Sequence, residues 1–107
     1  MGADSFINQA KGSSAEDAFH KAKAQAERDY GHAGYTGTIA EKSEFVLFTP
    51  PEGVVSQKEI VAWAESAQNH DTNGDDKLDE VANDKWGPAA AVKLPDGSFL
   101  FFGWASS

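Results

Sequence analysis

The run Phe99-Leu100-Phe101-Phe102 constrains this chain more than any other feature. Four large apolar side chains in succession point to both faces of one strand, and such a strand is stable only where both faces of its sheet are covered. Residues 99–104 therefore read as a central strand, with helices over one face and a partner or the N-terminal arm over the other. Pro95-Asp96-Gly97-Ser98 just ahead is strong turn chemistry, which makes residues 89–94 the hairpin partner of that strand.

A helix is the next clearest element. Between Ala15 and Tyr30 the apolar positions Ala15, Ala18, Phe19, Ala22, Ala26 and Tyr30 recur at three- and four-residue steps, Ser13 and Ser14 offer caps, and Gly31 suits a left-handed stop. Residues 36–40 and 45–49 flank the polar Glu41-Lys42-Ser43-Glu44, a pattern expected of a second hairpin. Pro50-Pro51 ends its second strand. Ser56 and Glu59 then form a capping box ahead of Ile60, Trp63, Ala64 and Ala67, and a short third helix is expected from Asp79 to just before Trp86-Gly87-Pro88. The expectation is an α+β domain over residues 13–107, with a flexible N-terminal arm at 1–12. Its two hairpins form a four-stranded, mainly antiparallel sheet packed with two main helices. A length of 107 residues fits one domain.

Charge narrows the partners. Seventeen acidic against nine basic residues give a formal charge of -8, and the lysines and arginine are dispersed along the chain, so direct nucleic-acid binding is not expected. Such acidity suits cations, a protein partner with a basic surface, or solubility alone. No apolar stretch of about 18 residues is present, so no membrane span is expected. The opening Met1-Gly2-Ala3-Asp4-Ser5 lacks the basic and apolar regions of a signal peptide, and the reading is cytoplasmic. Absence of cysteine agrees with that without requiring it. The expected state is a monomer or small homo-oligomer.

The most specific chemical pattern is Asp71-Thr72-Asn73-Gly74-Asp75-Asp76-Lys77-Leu78-Asp79-Glu80, which resembles the calcium loop of the EF-hand family. In that loop every second residue turns an oxygen toward a hard cation. The resemblance implies Asp71, Asn73 and Asp75 as side-chain ligands, Lys77 as a carbonyl ligand and Asp79 as a water-bridged one, with calcium as the cofactor. Asp76 stands where the loop turns on glycine, and Ala82 where a bidentate glutamate closes it. Such a site would be structural and weak, of order 0.1–1 mM. The same composition also suits a plain solvent-exposed turn between helices.

A second unusual segment, residues 30–42, combines three glycines with His32, Tyr35, Thr36, Thr38, Glu41 and Lys42. These supply donors, acceptors and one group that titrates near neutrality, and form a candidate ligand or partner site. The spacing matches neither a phosphate-binding Gly-Lys-Ser/Thr loop nor a dinucleotide fingerprint. Glycines that cap a helix and bend a loop, with tyrosines packed at a sheet edge, account for the same residues structurally. With Asp84-Lys85-Trp86-Gly87-Pro88 and Leu100-Phe101-Phe102-Gly103-Trp104-Ala105-Ser106, the segment resembles short uncharacterised proteins of bacteria and their phages. That resemblance implies a small accessory protein and no particular activity. The expected function is non-enzymatic binding or regulation. The alternative is a small enzyme in which His32 acts as acid or base while Tyr35, Glu41 and Lys42 orient an anionic ligand.

Overall fold

The computed structural model describes residues 2–31, 36–72 and 74–107. Four strands, β1 (Ala3–Ala10), β2 (Phe45–Phe48), β3 (Ala89–Lys93) and β4 (Phe99–Ser106), form one sheet in the order β1-β4-β3-β2. The β1–β4 and β3–β4 pairs are antiparallel, and β2–β3 is parallel. Helix α1 (Ala15–Tyr30) lies over one face, and α2 (Gln57–Ala67) with α3 (Asp76–Ala82) over the other. The domain is α+β with a mainly antiparallel four-stranded sheet, as its patterning predicts.

Strand β4 organises both cores. Phe99 and Phe101 enter the α1 side with Phe19, Ala22 and Ile39, while Leu100 and Phe102 enter the other side with Ile60, Leu78 and Val81. Phe101 and Phe102 are fully buried, each contributing about 1.5–3 kcal/mol by removal from water. Phe19, Phe45 and Phe101 meet at centroid separations of 5.0–5.7 Å, and Trp63 packs edge-on to Phe102 at 5.8 Å. The second face of β4 is thus covered by the chain's own helices rather than by an arm or a partner.

Local chemistry sets both ends of α1 and the start of α2 where the sequence places them. Ser14 Oγ accepts from the Asp17 amide, Gly31 closes α1 at φ 85°, and Ser56 with Glu59 makes the full capping box of α2. Helix α3 starts at Asp76 rather than Asp79, because the Asp75 side chain accepts from the Leu78 amide and caps it earlier. Two helices between β2 and β3 supply the long crossover that a parallel pair requires.

Two expectations are corrected. Residues 3–10 are not a flexible arm but edge strand β1, paired along its whole length with β4. Residues 36–40 are not a strand, so the first hairpin does not form. Gly37 takes φ 70°, Thr38 caps a single 3-10 turn at Ile39–Glu41, and Ile39 is buried in the α1 core. A central β4 needs a neighbour on each side; β3 fills one, and β1 fills the other. None of the described helices is long and apolar enough to cross a membrane.

Candidate functional site

The segment that closes α1 onto the sheet carries four of the expected site residues, and its chemistry is directed inward. Glu41 Oε2 accepts from the Thr36 amide at 3.1 Å and from Thr36 Oγ1 at 2.8 Å. Since the single Thr36 hydroxyl proton goes to the carboxylate, Thr38 Oγ1 is the donor in the 2.8 Å Thr36–Thr38 contact. Thr38 Oγ1 also accepts from the Ala40 amide, capping the 3-10 turn. Gly37 fastens the loop to the end of β4 through a 2.9 Å bond to the Ser106 carbonyl. A Cβ there would stand 2.6 Å from Asp4 Oδ2.

Lys42 turns the opposite way. Only 1% of it is exposed. Its Nζ donates to the carbonyls of Asp84 and Gly87, each at 2.9 Å, and lies 5.9 Å from the Phe6 ring centroid. Burial lowers the ammonium pKa to about 8, against the opposing pull of the Asp84 carboxylate. The amine therefore anchors the α3–β3 loop, while the Glu41 carboxylate binds its own loop, and the two do not converge on a common ligand. His32 and Tyr35 lie outside the described residues.

The 71–82 segment is likewise drawn into hydrogen bonds of its own. Asp75 caps α3, and Asp79 Oδ1 lies 2.9 Å from both His70 Nδ1 and Asn83 Nδ2. Asn83 also donates to the Ala67 carbonyl at 2.7 Å, joining α3 to the end of α2. With α3 running Asp76–Ala82, Lys77 and Asp79 sit within a helix rather than an extended ligand loop. Asp71 is exposed, and Asn73 lies outside the described residues. Among the described residues no group of three His, Asp or Glu side chains could hold a metal ion.

A different surface leaves hydrogen-bonding capacity open. Gly2 and Ser107 exchange both backbone bonds, and the unbroken β1–β4 register continues from that pair. Asp4, Phe6, Asn8 and Ala10 therefore bond to β4, and the N–H and C=O groups of Ala3, Ser5, Ile7 and Gln9 point away from the sheet. Among the described residues no segment pairs with this outer side. The other edge differs, since β2 has only four residues and Pro50-Pro51 follow closely. Strand β1 has eight residues, with neither proline nor lysine among them.

Grooves of about 380 Å³ run between β1 and α1 and meet at Asn8 and Gln25. One end carries Lys11 and Lys21 and the other Asp4, Asp29 and the exposed Tyr30, while Arg28 donates to Gln25 between them. Sequence reading overlooks this edge because Phe6 and Ile7 are adjacent, which masks any alternation in a short polar segment. The usable signal is indirect: a two-faced apolar β4 calls for two neighbouring strands. Comparison with protein-family models, curated proteins and solved structures matches none of them to this chain.

Proposed function

We propose that this chain is a non-enzymatic protein-binding domain that takes an extended segment as an additional strand on the outer edge of β1. The observation that supports this reading is the eight-residue edge itself, whose outward backbone groups alternate at Ala3, Ser5, Ile7 and Gln9. Main-chain bonds would supply affinity, and the groove beside α1 would supply selectivity. The hydroxyl and carboxylate groups of Thr36, Thr38, Glu41, Asp75 and Asp79 are already engaged within the fold. That makes them weaker candidates for chemistry than the edge is for binding.

Ser5→Pro tests this directly. Its amide faces outward, so proline there removes a donor from the free edge without deleting a β1–β4 bond. Peptides selected from a random display library on the immobilised domain should be enriched in strand-forming sequences and should lose binding to Ser5→Pro. If no peptide is enriched, or if binding survives the substitution with the circular dichroism unchanged, the reading is wrong.

A further inference from the structure

We infer that the strand added to β1 is β1 of a second copy of this chain, giving an antiparallel dimer with one continuous sheet; this rests on the edge-binding reading above. Two features of the edge suit this occupant, and the second distinguishes it from an unrelated strand. The first is parity. In an antiparallel pair that places Ile7 on the two-fold axis, Ile7 faces Ile7 of the second copy and Ser5 faces Gln9. Every residue so paired has its backbone groups pointing outward. Ile7, 40% exposed at the centre of the strand, then packs against its counterpart.

The second feature is charge. The groove beside the edge carries Lys11 and Lys21 at one end and Asp4 and Asp29 at the other, with Arg28, bonded to Gln25, between them. A two-fold axis across β1 sets the basic end of each copy against the acidic end of the other, twice in one dimer. A parallel arrangement would set like against like. An unrelated strand would need to bring a matching gradient, whereas a second copy carries it. The edge also lacks the lysine, proline or bulge by which sheets ordinarily prevent such pairing.

Light scattering over a concentration series tests the dimer with the intact chain. The wild type should pass from monomer to dimer mass as concentration rises, and Ser5→Pro should stay monomeric. Lys21→Glu and Asp29→Lys, both on the exposed face of α1, should each weaken dimerisation about tenfold, roughly 1.4 kcal/mol. An equimolar mixture of these two variants should restore it, since each reversed end then meets its complement. This exchange does not depend on β1 tolerating proline. A wild type that is monomeric throughout overturns the inference. So does a dimer that all three variants form as well as the wild type. If the chain is monomeric yet binds library peptides in a Ser5-dependent manner, only the second-copy inference fails. If peptides also fail to bind, the edge reading fails with it.

Discussion

Replacing Lys42 by methionine separates two opposing contributions of one buried side chain. The ammonium donates to two backbone carbonyls, of Asp84 and Gly87. A neutral amine keeps two N–H donors for these carbonyls, and at about 0.5–1.5 kcal/mol each, losing both costs about 1–3 kcal/mol. Against this, burial moves the pKa from an ordinary 10.5 to about 8. At about 1.4 kcal/mol per pH decade, the buried charge is itself unfavourable by about 3 kcal/mol at neutral pH. Lys42→Met should therefore leave the stability unchanged or raise it by up to about 2 kcal/mol near pH 7.

The pH dependence is the sharper test. Below about pH 8 the lysine is protonated in both folded and unfolded chains, and its contribution is flat. Between about 8 and 10.5 the unfolded chain holds a proton that the folded chain has released, so wild-type stability rises with pH through that window. The variant has no such group. Wild-type stability should accordingly gain about 3 kcal/mol on that of the variant on going from neutral to alkaline pH, the other titrating groups being common to both. Urea unfolding followed by tryptophan fluorescence near pH 7 and near pH 10 measures it. A wild type that gains nothing on the variant would refute the argument that burial, rather than its two acceptors, dominates the Lys42 environment.

Three further perturbations follow from the packing. Gln68 is buried and its Nε2 donates to the carbonyls of Phe6 and Gly103 at 2.6 and 3.0 Å, so Gln68→Leu should cost about 2–4 kcal/mol in urea unfolding. Gly103 sits at φ 152°, where an added Cβ would be 3.3 Å from Phe6 Cζ; Gly103→Ala should lose about 1–3 kcal/mol and lower the melting temperature. Asp75→Ala should lose about 1 kcal/mol through the missing α3 cap. With Asp75 and Asp79 engaged within the fold, millimolar calcium should leave the melting temperature of the wild type unchanged. A calcium-dependent rise that Asp75→Ala abolishes would restore the 71–82 loop as a metal site.

What was legible in the sequence follows from interactions close along the chain. The α1 stripe, the Ser14 cap and Gly31 stop, the Ser56–Glu59 box and the Pro95–Ser98 turn involve groups within a few residues of one another. They form where they are read. The two-faced character of β4 was legible too, because four consecutive apolar side chains admit no half-exposed strand. Of the candidate site, Thr36, Thr38 and Glu41 do come together, being neighbours in sequence. Long-range pairing was not legible. Nothing local distinguishes Lys42 as a buried anchor for carbonyls some forty residues away, or residues 3–10 as a strand rather than an arm. Sequence by itself determined the helices, the turn and the need for a covered sheet, through short-range periodicity and capping. Tertiary structure alone decided which segment would complete that sheet. The outer side of β4 accepts whichever backbone can reach it in register, and the segment that reached it has no strand on its own outer edge among the described residues.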